Sequence, residues 1–158
     1  MIKKLIGEHR KNFKSRLIKF TFSVYLGAKQ NLQEIQKELD KPVHTLIQEC
    51  PTRWNSTLLM LKRILEQKEV LALYSARHSC LSLSFDWKLV ETLIHLLQPF
   101  YDATLEAEAD STSISIVIPI STLIKRFFSE KKDQFPGLSS TTAFIEKEIS
   151  KRLGDVEK

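Results

Sequence analysis

Apolar side chains recur at helical spacing along most of this 158-residue chain, and this periodicity constrains its fold more than any other feature. The clearest stripe consists of Leu89, Val90, Leu93, Leu96, Leu97 and Phe100. Only four glycines and five prolines interrupt the sequence, and Leu, Ile, Lys, Glu and Gln dominate between them. Because these residues favour helices, the sequence predicts a mainly α fold.

Helix boundaries are predicted from side chains that cap helices and from residues that end them. One or two basic helices are expected up to about Tyr25, and the next helix is capped by Asn31 and ended by Asp40 to Pro42. A long helix is expected from Asn55 or Ser56 to about Ala76. Asp86 caps the helix after it, and Ser139 or Ser140 opens the last helix. Proline removes a backbone donor and crowds the preceding turn, so Pro99 is expected to kink or break the Asp86 helix.

Two segments have an extended pattern. Residues 44–50 lie between Pro42 and Pro51 and are predicted to form one short strand or an extended segment. Residues 113–120, SISIVIPI, alternate apolar and polar side chains in part and favour a strand by local pattern. Alternatively, Ser111 or Thr112 caps a helix that continues towards Phe128, with Pro119 as a local defect.

The positive charge is concentrated at the amino terminus. The net charge is +5, whereas the first twenty residues contain seven basic residues and one acidic residue, a net of +6. The remainder of the chain therefore sums to about −1. This distribution favours an anionic partner at the amino-terminal end.

Cys50 and Cys80 have no CxxC spacing, and His44, His78 and His95 are scattered along the sequence. Neither a disulfide framework nor a metal site is therefore predicted. No apolar run has the roughly 18 to 20 residues that are needed to span a bilayer, and the start of the chain lacks a signal-peptide pattern. We expect an intracellular protein with no membrane partner.

The most distinctive motif is PTRWNST, from Pro51 to Thr57, followed by LLMLKRILEQ. This stretch resembles the hAT transposases and their domesticated relatives, including the zinc finger BED proteins. KNFKSRL before it and DWKLVETLIHLLQPFYDAT after it resemble the neighbouring helices of the same family. The resemblance covers most of residues 9 to 128, and it implies that STSISIVIPISTLIKRFF is helical and not a strand.

In that family, a ribonuclease-H-like core supplies acidic residues to two metal ions, which activate water and a DNA 3′ hydroxyl for attack. The resemblance implies that these carboxylates lie outside this sequence. It also implies that residues 1–54 supply basic helices and the strand of the core, and that residues 55–158 form a segment of the family's helical insertion domain. We therefore expect no enzyme activity, no catalytic residue, no metal, no cofactor and no small-molecule substrate.

The resemblance also implies which residues bind nucleic acid. Trp54 is expected to stack on a base extruded beside the cleavage site, and such stacking contributes roughly 1–3 kcal/mol per base. Arg53 is expected to contact a phosphate or to lie over a base. Lys11 and Lys14 are expected to neutralise phosphates. Alternatively, Trp54 packs in the core, Arg53 pairs with a carboxylate, and the lysines form a solvated helix face.

These inferences predict a nuclear, DNA-binding, non-catalytic fragment of a protein derived from an hAT transposase. A first alternative is a protein-interaction or dimerisation module, in which the helices at 55–76 and 86–109 present apolar stripes to another subunit, such as a second copy in a homo-oligomer. A second alternative is a degenerate transposon reading frame without a function, which begins after the family's first acidic positions.

Overall fold

The computed structural model describes residues 19, 21, 29–50, 52–78, 86–109, 114–130 and 139–153. These residues form α1 (Lys29–Glu38), α2 (Trp54–Glu66), α3 (Lys68–Arg77), α4 (Trp87–Glu108), a short 3-10 helix (Ile114–Ile116), α5 (Val117–Glu130) and α6 (Ser139–Leu153). The mainly α prediction is confirmed. In the described part of the chain, every helix is too short or too polar to cross a membrane.

The predicted strand at 44–50 is wrong, because residues 41–50 form neither helix nor strand. Side chains from the helices bind the carbonyls that a strand would use for pairing. The Gln36 amide nitrogen Nε2 donates to the His44 carbonyl at 2.8 Å, and Arg63 Nη1 donates to the Thr45 carbonyl at 2.9 Å. Leu46 alone is buried in this segment, and it anchors the segment to the apolar interior.

The chain divides into two compact units, one ending at Ile94 and the other beginning at His95. The predicted boundary between residues 54 and 55 concerned the two domains of the resembled family, and it stays a prediction. In the first unit, α3 packs against both α1 and α2. The fully buried side chains of this unit include Leu58, Met60 and Ile64 of α2 and Leu71 of α3.

Helix α1 begins before the predicted cap, since Asn31 already lies in its first turn. Its end agrees with the prediction. Asp40 has a positive φ of 51°, the Asp40 amide donates to the Lys37 carbonyl at 3.1 Å, and the Lys41 amide donates to the Gln36 carbonyl at 2.8 Å. This pair of hydrogen bonds is a Schellman motif, in which aspartate occupies the left-handed position that glycine usually takes.

The long helix predicted from Asn55 or Ser56 to Ala76 is two helices. Gln67 separates α2 from α3 with φ −93° and ψ 17°. Its side chain is buried and lies 2.8 Å from the amide nitrogen of Gln36. The break therefore coincides with a polar side chain that is held inside the core instead of facing solvent.

In the second unit, α5 packs against α6. Phe128 is fully buried, and its ring centroid lies 5.7 Å from that of Phe100. The helical prediction for residues 113–120 is confirmed for the described residues: Ile114–Ile116 form the 3-10 helix and α5 follows at Val117. Pro119 lies in the first turn of α5, where its missing N–H removes no intrahelical hydrogen bond.

Pro99 lies inside α4, which continues from Trp87 to Glu108. The expected break is therefore absent. Asp86 caps this helix as predicted, since the Leu89 amide donates to its carboxylate oxygen Oδ1 at 3.0 Å. The last helix begins at Ser139, also as predicted.

Candidate nucleic-acid interface

The loop before α2 is closed by the hydroxyl group of Ser56. The Cys50 amide donates to Ser56 Oγ at 2.9 Å, and this oxygen lies 2.6 Å from the Arg53 carbonyl and 3.0 Å from the Cys50 carbonyl. The single hydroxyl hydrogen is available to either carbonyl. A backbone hydrogen bond from the Arg53 amide to the Cys50 carbonyl at 3.0 Å tightens the same turn. The prediction that Asn55 or Ser56 caps this helix is wrong, because both residues lie inside α2 and its N-cap is Arg53 without a side-chain cap. The Ser56 hydroxyl instead fixes the loop that carries Arg53.

Arg53 is exposed and extended, with φ −116° and ψ 107°, and it immediately precedes α2. It makes no side-chain capping hydrogen bond, and the first turn of α2 has no acidic residue. Among the described residues, no carboxylate forms an ion pair with its guanidinium. The amino-terminal end of a helix carries a partial positive charge and N–H groups that favour anions. Arg53 adds a full charge at that end.

The Cys50 thiol provides a second indication of the electrostatics of this loop. Its pKa is lowered, first by the hydrogen bond with the Thr52 side chain, then by the Thr52 amide, and to a smaller extent by the amide and the charge of Arg53. Cys50 Sγ lies 3.1 Å from Thr52 Oγ1 on the exposed surface. Donors and positive charge that stabilise a thiolate also favour another anion in the same place.

Of the four predicted binding residues, the structure positions the side chain of Arg53. Trp54 is the first residue of α2, but its side chain lies outside the described part of the chain. Lys11 and Lys14 also lie outside the described residues. Base stacking by Trp54 and phosphate binding by the two lysines therefore stay predictions, and so do their structural alternatives.

A set of polar side chains behind the loop was not predicted from the sequence. Thr57 is buried, and its hydroxyl donates to the Glu49 carboxylate at 2.7 Å. Glu66 forms an ion pair with Arg63, in which Arg63 Nε lies 2.9 Å from Glu66 Oε2. The other oxygen of this carboxylate, Oε1, lies 2.5 Å from His44 Nδ1. Together with the hydrogen bond from Gln36 to the His44 carbonyl, these contacts hold the segment that leads to Arg53 against α1 and α2. The one local signal for these contacts in the sequence was Gln36, which lies beside Ile35 on the apolar face of α1.

Most side chains of the apolar stripes that suggested a dimerisation surface are buried, whereas Leu65, Leu89 and Phe100 are half-buried. Leu58 and Ile64 are 0% exposed in α2, and Val90 is 0% exposed in α4. These side chains therefore do not supply an exposed face for another subunit. Within the described residues, no cluster of three or more histidine, cysteine, aspartate or glutamate side chains is arranged to hold a metal ion.

Comparison with known protein families shows a similarity over part of the chain. Residues 24–96 match the family described as the ZBED1 RNase-like helical domain, a region that includes α1 to α3, the Arg53 loop and the first part of α4. The helical architecture agrees with that description.

Curated relatives extend the match. Zinc finger BED domain-containing protein 4 of Homo sapiens is 29% identical over 128 residues, which cover 80% of this chain and 11% of that protein. Zinc finger BED domain-containing protein 6 of Mus musculus is 32% identical over 105 residues, which cover 63% of this chain and 10% of that protein. The chain is therefore similar to BED/hAT-derived proteins over most of its length, which confirms the predicted resemblance. It spans about a tenth of the length of these relatives. No solved structure matches it significantly.

Proposed function

We propose that this chain is a nucleic-acid-binding part of a nuclear protein derived from an hAT transposase, and that it does not cut DNA by itself. One observation carries the proposal: the exposed Arg53 is fixed at the positively polarised end of α2 without a carboxylate partner among the described residues. A cation on a loop held in this way binds a phosphate at a smaller cost in loop entropy than a cation on a mobile loop.

The binding mode follows from the chemistry of the motif. Arg53 contacts a backbone phosphate and positions the nucleic acid without reading its sequence. Trp54, the next residue, stacks on an unpaired base, as the family resemblance implies. Lys11 and Lys14 neutralise further phosphates along the basic amino-terminal stretch. The absence of cutting is proposed because the acidic residues of the resembled core have no counterpart assigned in this sequence.

The proposal is tested by fluorescence anisotropy with a labelled DNA hairpin that carries one unpaired base beside its duplex. We expect binding that weakens steeply with salt. The Arg53→Gln variant should reduce the slope of log affinity against log salt by about 0.9, the contribution of one phosphate contact. The Trp54→Ala variant should abolish the preference for the hairpin with the unpaired base over a fully paired hairpin.

The matched control is Arg77→Gln, because it removes the same charge from an exposed arginine that forms a 2.7 Å ion pair with Glu38. It should leave the salt slope unchanged. The proposal fails if the wild-type chain does not bind either DNA at low salt, or if Arg53→Gln and Arg77→Gln have the same effect.

A further inference from the structure

The unit that begins at His95 contains a groove between α4 and α5 with a volume of about 830 Å³. Its walls run from His95 to Glu106 and from Pro119 to Glu130. Twelve residues of helix are about 18 Å long, so each wall matches roughly three turns of a docked helix. The groove is lined mainly by apolar side chains, which include Pro99, Ala103, Ile120, Leu123, Ile124 and Phe127.

The apolar lining is open to solvent. Leu123 is 65% exposed, more than the other exposed large apolar side chains of the described residues. Ile118 and Val117, at the start of the same helix, are 43% and 38% exposed. Val117 and Ile118 do not line the groove, but Leu123 does. An exposed apolar lining that is bordered by charged residues is typical of a site that another molecule covers.

The charges on the rim decide which kind of molecule fits. Asp102 and Glu106 lie one turn apart on the α4 wall, and Arg126 and Glu130 form an ion pair on the α5 wall. With histidine neutral, the formal charge of the lining is therefore −2. Asp102 accepts a 2.6 Å hydrogen bond from the neutral amide of Gln98, which leaves its charge in place. An anionic ligand is disfavoured here, whereas a cationic ligand is favoured.

We propose that this groove binds a cationic amphipathic helix of a partner protein. The apolar face of that helix covers Leu123 and Ile120, and its lysines or arginines lie along the α4 wall beside Asp102 and Glu106. Phosphates of nucleic acid and anionic lipid headgroups would be repelled by the same carboxylates. A symmetric pair of this chain would bring the two acidic rims together, which also costs free energy.

The test uses the full chain and two synthetic peptides of about 15 residues, long enough as helices to fill the groove. The peptides have the same leucine face and carry either lysine or glutamate at every polar position. Fluorescence anisotropy should show that the lysine peptide binds about tenfold more tightly than the glutamate peptide at low salt. Replacing both Asp102 by Asn and Glu106 by Gln should abolish this discrimination.

The Leu123→Asp variant should weaken binding of the lysine peptide at least about tenfold, because it places a charge in the apolar contact. Leu105→Asp is the matched control, since Leu105 is 49% exposed on α4 but does not line the groove. It should not change the affinity. Both side chains are exposed, so the helical circular dichroism of both variants should equal that of the wild type.

Three results would overturn the proposal. The first is that neither peptide binds at protein concentrations up to about 100 µM, or that both bind equally. The second is self-association of the chain that Leu123→Asp abolishes, which would make a second copy the occupant. The third is loss of DNA binding in Leu123→Asp, which would assign the groove to nucleic acid. Failure of the Arg53 experiment affects none of these outcomes, so the two proposals are tested separately.

Discussion

Gln36 and Gln67 form a buried amide pair that joins α1 to the junction of α2 and α3. Both side chains are at most 1% exposed. Gln36 Nε2 donates to Gln67 Oε1 and to the His44 carbonyl, each at 2.8 Å. Among the described residues, Gln36 Oε1 and Gln67 Nε2 are buried without a hydrogen-bond partner. The pair therefore already contains two unsatisfied polar atoms, and the remaining hydrogen bonds determine the effect of a substitution.

The Gln36→Leu substitution removes the donor of both hydrogen bonds. The Gln67 amide is then left buried without a partner, which costs about 1–3 kcal/mol, and the added apolar contact of leucine offsets part of this cost. In Gln67→Leu, by contrast, Gln36 Nε2 keeps the His44 carbonyl, so the expected loss is about 1 kcal/mol. Replacing both glutamines by leucine removes the unsatisfied groups together, and we expect a stability close to that of the wild type.

Urea unfolding followed by tryptophan fluorescence measures these differences, because both tryptophans belong to the unit that ends at Ile94. Gln36→Leu should lower the urea midpoint by about 0.5–1 M, Gln67→Leu should lower it less, and the double variant should restore it. The reasoning is refuted if the loss of unfolding free energy in the double variant equals the sum of the losses in the two single variants to within about 0.5 kcal/mol, since the two amides would then act independently.

Two further predictions concern single contacts. Asp86→Ala removes the cap of α4, whose carboxylate accepts a 3.0 Å hydrogen bond from the Leu89 amide. It should lower the free energy of unfolding in urea by about 1 kcal/mol, whereas Asp86→Asn should retain most of the stability. Equal losses in the two variants would contradict the capping role. The hydrogen bond from Arg77 lowers the pKa of Glu38 below its ordinary 4.5, so this pair stabilises the fold above pH 4.5 and its contribution is lost as the pH falls through the lowered pKa. The difference in urea midpoint between the wild type and Glu38→Gln should therefore shrink below pH 4.5, and a constant difference down to about pH 3 would contradict it.

The helices that were predictable are those whose signals are local. Val90 and Leu93 in α4 lie at the spacing of one buried face, and Asp86 stands directly before the first turn. Pro99 was expected to disrupt this helix, because an interior proline costs about 3 kcal/mol relative to alanine. The neighbouring Leu96 and Leu97 are nearly fully buried, and burial of this kind offsets such a cost.

The features that were not predictable depend on residues far apart in the sequence. Nothing in residues 44–50 themselves shows that Gln36 and Arg63 bind the carbonyls of His44 and Thr45. The break at Gln67 coincides with a hydrogen bond to an amide 31 positions earlier, which is equally absent from the local sequence. Propensity and periodicity describe neighbouring residues, so they favoured an extended strand and one long helix here. The family motif predicted Arg53 as a binding residue, whereas the role of Ser56 in closing the loop follows only from the three-dimensional structure.

The Arg53 loop is positively charged and the groove beside Asp102 and Glu106 is negatively charged. Substitutions that remove these charges therefore show which of the two surfaces a ligand binds. Added salt weakens binding of a nucleic acid at Arg53 and of a cationic helix beside Asp102, because both are charge-assisted. Charge-removing substitutions affect a different ligand at each surface. Asp102→Asn lowers the local negative charge and should weaken a cationic helix without weakening nucleic acid, whereas Arg53→Gln should weaken nucleic acid without weakening the helix. A partner that requires both residues would have to carry both charges, as a nucleic acid bound to a basic protein does.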